Sequence, residues 1–186
     1  MGLGQTMLTM AFFVVLIVLF INAYRVINNA DEQLLTATAY KTATDLGQSL
    51  MSEILTKKYD QNFNPSSYTS GSISSSQAIL NSFTASGSLG TEVGESFTLP
   101  DQSPYQSISK YNDVDDYNQY SRLTDSTNGL GRFRDSVLVY YVQMTNPPTT
   151  YNNKWWTKRI EVWVTNDKWL TNNWIKLYAI VGANVR

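Results

Sequence analysis

Met10–Ile21, MAFFVVLIVLFI, is apolar at every position. A helix that crosses a membrane needs about 20 mostly apolar residues, and residues 3–23 supply that length with no charged side chain before Arg25. A buried core helix is rarely apolar on every face. A cleaved secretory signal begins with basic residues and ends at a small-residue cleavage site. The stretch therefore favours a retained, membrane-inserted helix over both alternatives.

The helical pattern continues beyond the apolar stretch as an amphipathic stripe. Apolar residues recur at spacings of three and four, at Leu35, Ala39, Ala43, Leu46, Leu50 and Ile54. No proline interrupts residues 6–64. We expect one helix over about residues 5–58, loosened near Asn22–Asn29, where poor helix formers cluster. This divides the chain into an apolar helix half, residues 1–30, and a globular domain, residues 31–186, that begins with the amphipathic half, residues 31–58.

Three alternating segments near the C-terminus predict an antiparallel meander within residues 135–184. They are Asp135–Met144, Trp155–Thr165 and Trp174–Val181. Their apolar face needs a cover, and the amphipathic helix half is the large candidate. The predicted fold class is α+β, with a long N-terminal, partly transmembrane helix packed on a small C-terminal antiparallel sheet.

Residues 61–134 are rich in serine and asparagine and predict a loop region. Within it, Ser76–Phe83 fits a short helix and Glu95–Leu99 a short strand.

Composition excludes several classes of function. The formal charge of −1 and the pI of about 5.4 argue against a nucleic-acid partner. The chain has no histidine and no cysteine, which removes thiol nucleophiles, imidazole acid–base catalysis and the usual zinc ligands. We expect no enzyme activity and no organic cofactor.

One acidic loop is a candidate Ca²⁺ site. Asp113, Asp115 and Asp116 lie within four residues and offer the oxygen ligands that Ca²⁺ prefers. The spacing is not that of an EF-hand, which needs glycine at the sixth position and glutamate at the twelfth. The alternative is a solvated turn whose aspartates pair with Arg122, Arg132 or Arg134.

The five tryptophans are a second candidate site. They are Trp155, Trp156, Trp163, Trp169 and Trp174. Exposed together, they would form a stacking surface for sugar rings. The alternative is that they anchor the sheet against the loops or against a neighbouring subunit, where tryptophan is favoured.

The predicted layout resembles the type IV pilin-like family, which includes the pseudopilins. Members carry a protruding apolar helix whose second half packs on an antiparallel sheet, and their precursors are cut after a glycine that precedes the apolar run. Gly4, Thr6 and the pair Met7–Leu8 match the family pattern. Gln5 replaces the usual apolar residue, and Thr9 stands where the family usually has glutamate. The resemblance implies cleavage between Gly4 and Gln5 by a prepilin peptidase.

The resemblance also implies a structural function in a type IV pilus-like filament or a secretion pseudopilus. The chain would await assembly in the inner membrane and then enter an extracellular filament, with copies of itself or other pilin-like subunits as partners, through the pilus assembly machinery. The residues expected to carry assembly are Gln5, Thr6, Met7, Leu8, Thr9, Phe12, Phe13, Val15, Leu16, Leu19 and Phe20.

A different class of function competes with the filament. The chain can be a single-pass membrane-anchored protein whose extracytoplasmic β domain binds a ligand or glycan. Flanking charge leaves orientation open: Arg25 and Lys41 follow the apolar stretch, which by the positive-inside rule alone places the domain in the cytoplasm. A plain anchor usually carries several Lys or Arg residues on one side, and such a cluster is missing here.

Overall fold

One long helix organises the fold. The computed structural model describes residues 2–63, 76–125, 129–145, 148–171 and 173–183. Helix α1 runs unbroken from Leu3 to Leu55 over 53 residues, about 80 Å at 1.5 Å per residue. The stretch Asn22–Asn29, which was expected to loosen, is helical throughout, since without proline every backbone hydrogen bond of the ladder can form.

The two halves of α1 have opposite surroundings. The first half contains an 18-residue window of mean hydropathy 2.4, none of it buried, which is long and apolar enough to cross a membrane. The second half buries one face, at Ala39, Ala43, Gly47, Leu50, Met51 and Ile54. The first half of α1 therefore projects from the domain with its apolar side chains exposed.

A six-stranded, mostly antiparallel sheet faces the second half of α1. Its strands are β1 (Asp101–Gln102), β2 (Ser121–Leu123), β3 (Phe133–Gln143), β4 (Thr149–Thr150), β5 (Thr157–Asn166) and β6 (Ile175–Gly182). The order is β1-β2-β3-β5-β6, and β4 pairs with the end of β3. The predicted three-strand meander is found as β3, β5 and β6.

The region predicted as loops contributes more structure than expected. Strand β1 pairs parallel with β2, which makes the sheet mixed rather than purely antiparallel. The strand predicted over Glu95–Leu99 is wrong, because that segment forms no strand and Phe97 packs on the Tyr111 ring at 5.1 Å. The predicted short helix is found as α2 (Ser76–Ser82), and a further turn forms α3 (Ser107–Lys110). Residues 64–75 and 126–128 of the predicted loop region lie outside the described residues.

The main core lies between α1 and the central strands. Leu50 and Ile54 are fully buried in one cluster with Ile160, Val162 and Val164 of β5. Gly47 allows the close approach, since a Cβ there would lie 2.9 Å from Leu177 Cδ1. Four residues of the predicted stripe are buried, whereas Leu35 and Leu46 are half-buried, and Leu55, which follows the stripe, is exposed.

We expect Leu50→Ala to lower the free energy of unfolding by about 2–5 kcal/mol, because it removes buried methyl groups and leaves a cavity. Leu55→Ala is the matched control on the same helix, since Leu55 is 48% exposed. Urea unfolding of the full chain in detergent micelles, followed by tryptophan fluorescence, measures both. Equal losses for the two variants would contradict the packing described.

Candidate functional site

The first half of α1 presents an uncovered apolar surface. Its large side chains are mostly exposed, from Leu3 at 79% to Ile21 at 49%. Of the predicted assembly residues, Leu16 is half-exposed and the others are exposed. An apolar surface this extensive is a site of association with lipid or protein. None of the described residues covers it.

The polar side chains at the start of α1 are satisfied within the helix. Thr9 Oγ1 donates to the carbonyls of Gln5 at 2.9 Å and Thr6 at 3.0 Å. Thr6 Oγ1 likewise donates to the carbonyl of Leu3 at 2.8 Å. Threonines bonded in this way add little polarity to the helix surface. The backbone around Gly4, the predicted cut site, is unobstructed: a Cβ there would meet nothing within 4 Å.

The acidic loop folds back onto the end of α1. The Val114 N–H donates to the Lys58 carbonyl at 3.0 Å, which joins the loop to the chain leaving the helix. Asp113 Oδ2 accepts from the Gln61 N–H at 2.5 Å, and Asp113 Oδ1 accepts from the Asp115 N–H at 2.9 Å. A short 3₁₀ turn over Asp115–Tyr117 follows. The carboxylate of Asp113 thus holds both its own turn and the segment after α1.

The aspartates of this loop are buried, which corrects the alternative of a solvated turn. Asp113, Asp115 and Asp116 are at most 1% exposed. Arg122, one of the three arginines named in that alternative, pairs with Glu53 at 3.1 Å and Asp135 at 2.8 Å. Tyrosine rings pack around the loop and exclude water from it, as Tyr111 and Tyr117 stack edge to face at 4.8 Å. The loop is part of the interior.

Two glutamates from a distant segment complete the acidic site. Single oxygens of Glu92, Glu95 and Asp116 lie within 4.8 Å of one another, and so do single oxygens of Glu92, Asp113 and Asp115. Glu92 belongs to both groups. The segment is tied to the loop by hydrogen bonds, since Asn112 Nδ2 donates to Glu95 Oε1 and Asn118 Nδ2 donates to the Leu89 carbonyl. We call these five carboxylates the acidic cluster.

Three oxygens of the acidic cluster have no hydrogen-bond donor among the described residues, although they are buried. They are Glu92 Oε2, Asp115 Oδ2 and Asp116 Oδ1. A buried polar atom without a partner is costly, and native structures hold few of them. A cation, or protons retained by the carboxyl groups, would satisfy these atoms.

Burial and mutual repulsion keep the carboxyl groups of the acidic cluster from all being ionised at once. Burial, followed by the charge of Asp115, raises the pKa of Asp113 to about 8. Burial also raises the pKa of Glu92 to about 8. Hydrogen bonds to Glu95 and Asp116 raise this pKa further, because only a protonated Glu92 can donate them. Burial raises the pKa of Asp116 to about 6 against the backbone N–H groups of Asp113 and Asn112. Like charges at this separation favour retained protons.

Lys158 supplies the ion pair that reaches the cluster within the described part of the chain. Its Nζ lies 2.7 Å from Asp115 Oδ1 and 3.1 Å from Asp60 Oδ2. It also donates to the Tyr59 carbonyl at 2.8 Å and is fully buried. One ammonium therefore serves two buried carboxylates.

A second buried network fastens α1 to the sheet. Glu53 accepts hydrogen bonds from Ser107 Oγ at 2.9 Å, from Tyr117 OH at 2.7 Å and from Arg122 Nη1 at 3.1 Å. Arg122 continues to Asp135 of β3. The pKa of Asp135 is raised by burial, although hydrogen bonding to the Arg122 guanidinium lowers it. This network of hydrogen bonds and ion pairs therefore joins α1, the acidic loop and the sheet.

The five tryptophans do not share a surface. Trp155 and Trp156 pack against a second apolar cluster that includes Tyr59, Phe83 and Tyr141. Trp169 packs against the main core. Trp163 and Trp174 form an edge-to-face pair at 6.1 Å, with Trp163 on the side of β5 opposite Ile160 and Val162, as its alternation predicted. A five-tryptophan stacking platform for sugars is not formed.

Comparison of the chain with models of protein families, with curated proteins and with solved structures finds no match.

Proposed function

We propose that this protein is a structural subunit of a type IV pilus-like filament or of a secretion pseudopilus. The observation that carries the proposal is the single helix α1, whose first half is apolar and exposed while its second half is built into the domain. The layout of this helix on a mostly antiparallel sheet is what the resemblance to pilin-like proteins leads one to expect. Function here means assembly, with no reaction catalysed.

The physical logic is an exchange of one apolar environment for another. In the membrane the exposed half of α1 is covered by lipid. In a filament it is covered by equivalent helices, so the buried apolar area changes little on transfer, and packing rather than hydrophobic burial drives association. Assembly machinery would supply the work of extraction.

The assembly contact we propose is apolar throughout. Thr9 occupies the position where pilin-like proteins usually carry a glutamate, and its hydroxyl is satisfied by its own helix. A bundle of such helices has no buried carboxylate that needs a cationic partner, which avoids the cost of burying a charge. Subunits would be held together by van der Waals packing of the exposed aromatic and branched side chains of residues 7–20.

Electron microscopy of material sheared from the cell surface, labelled with antibody to the domain, tests the proposal. Filaments that label along their length are expected for a major subunit, and label at the tips for a minor one. Protein found only in the membrane fraction, as dispersed single chains, would favour the rival class, a membrane-anchored binding protein.

Processing after Gly4 is a separate expectation. Gly4→Val should block the cut, because glycine lets an extended chain enter a narrow protease site without a side-chain clash. Mass spectrometry of the N-terminal peptide should begin at Gln5 in the parent chain and upstream of it in the variant. A parent peptide that still includes Gly4 would refute the cut and leave the assembly helix untouched.

A further inference from the structure

We propose that the acidic cluster is a Ca²⁺ site that joins the segment around residues 92–95 to the loop around residues 113–116. The ligand set differs from the one that the sequence suggests, since Glu92 is the carboxylate common to both groups of close oxygens. Glu95 lies beside it, and the loop aspartates supply the rest. The site concerns the domain alone and does not depend on the filament.

The independent observation that points to a cation site is a set of three buried oxygens without a hydrogen-bond partner. Asp115 is 0% exposed and Asp116 is 1% exposed, yet each has one carboxylate oxygen that receives no hydrogen bond. Glu92 has a third such oxygen. Each of the two groups of close oxygens includes one of these aspartates together with Glu92. A cation at Glu92 would satisfy atoms that the described residues leave unsatisfied.

The chemistry of the donors selects Ca²⁺. All five side chains are carboxylates, and the chain has no histidine or cysteine to favour zinc. Ca²⁺ accepts six to eight oxygens at about 2.3–2.6 Å in flexible geometry, so two ligands on opposite sides lie about 5 Å apart. Mg²⁺ demands a smaller, near-ideal octahedron and keeps several waters. A crowded, all-carboxylate group of this kind suits the larger ion.

Lys158 does not take the place of the ion. Its ammonium contacts Asp115 Oδ1 and Asp60 Oδ2, while Asp115 Oδ2 has no partner. Among the described residues, five carboxyl groups share one lysine. The bound ion would add positive charge there and fasten a segment that otherwise holds to the loop through asparagine side chains and the Phe97 ring.

Titration calorimetry of the full chain in detergent micelles, first stripped with EDTA, tests the site. We expect one Ca²⁺ per chain with a Kd below about 1 mM, the range of extracellular calcium modules, and weaker binding of Mg²⁺. Glu92→Gln should weaken Ca²⁺ binding about tenfold or more, because a metal ligand is lost. Glu32→Gln, on the exposed face of α1, is the matched control and should bind as the parent does.

Thermal unfolding gives a second readout. In EDTA, Glu92→Gln should unfold at about the same temperature as the parent, because the amide has nearly the shape of the carboxyl group that it replaces. At a Ca²⁺ concentration about fivefold above the Kd, the parent should unfold at the higher temperature, since it gains more stabilisation from the bound ion than the weaker-binding variant does. Hydrogen exchange at residues 86–97 should slow on adding Ca²⁺ to the parent.

The binding measurements on the parent and on Glu92→Gln decide whether the Ca²⁺ site exists. Saturable Ca²⁺ binding that Glu92→Gln loses supports the site. The absence of saturable Ca²⁺ binding by the parent, or binding that Glu92→Gln leaves unchanged, overturns it. If Glu92→Gln fails to fold, as judged by tryptophan fluorescence, Glu95→Gln replaces it with the same two expected results. Filament failure in microscopy would leave this result standing.

Discussion

Replacing Val15 with aspartate is expected to abolish filament assembly while the domain stays folded. Val15 lies in the exposed half of α1 and is 58% exposed, in the middle of the uninterrupted apolar stretch. A carboxylate near the bilayer centre costs about 2.5–3.5 kcal/mol on insertion scales. In a dry bundle of helices the same charge has no cationic partner, and the penalty recurs in every subunit.

Three measurements on the Val15→Asp variant separate assembly from folding and insertion. Sheared material should contain no filaments, the membrane fraction should still contain the chain, and near-ultraviolet circular dichroism in micelles should match the parent. Val15→Leu is the matched control, because it keeps the surface apolar, and it should assemble. Filaments of normal number and length from Val15→Asp would show that this part of α1 takes no part in assembly.

The large elements of the fold could be predicted because their signals are local. Helix α1 is encoded by residues three and four apart, and the meander of β3, β5 and β6 by simple alternation. Both patterns are visible in short windows of sequence. Strands β1 and β2 could not be found in this way, since they span two and three residues and depend on pairing between distant segments.

The acidic cluster was only partly predictable. The three aspartates are close in sequence, whereas Glu92 and Glu95 come from a segment without regular structure that reaches the loop through tertiary contacts. Nothing in a serine-rich stretch marks a glutamate as a ligand. Alternation in Glu95–Leu99 suggested a strand, but that segment forms no strand and the Phe97 ring packs against the Tyr111 ring.

Two buried charges did leave a signal in the sequence. Lys158 shares the face of β5 that carries Ile160 and Val162, so alternation alone places it inward. Glu53 follows Leu50 by three residues, which sets it beside the buried stripe of α1. A charged residue in register with a core face is a sign of an internal ion pair, because burial without a partner is too costly.

The second large effect expected is on stability, from Lys158→Met. Methionine keeps most of the apolar stem of Lys158 and removes the ammonium that contacts Asp60 and Asp115. Removing one partner of a buried pair leaves an uncompensated charge and lowers the free energy of unfolding by about 3–5 kcal/mol. Since domains are stable by only about 5–15 kcal/mol, a large part of the stability would be lost.

Lys176→Met provides the control for the loss of Lys158, and a double mutant tests the cause. Lys176 lies on the neighbouring strand and pairs with Glu161 at 2.9 Å, but its side chain is 46% exposed, so its loss should cost at most about 1 kcal/mol. Adding Asp60→Asn to Lys158→Met removes one of the two carboxylates that lost their partner. Asp60→Asn should therefore lower the free energy of unfolding less in the Lys158→Met variant than it does in the parent chain. Urea unfolding in EDTA measures the three single variants and the double variant. Equal effects of Lys158→Met and Lys176→Met, or strict additivity with Asp60→Asn, would show that the buried ammonium does not hold these carboxylates together.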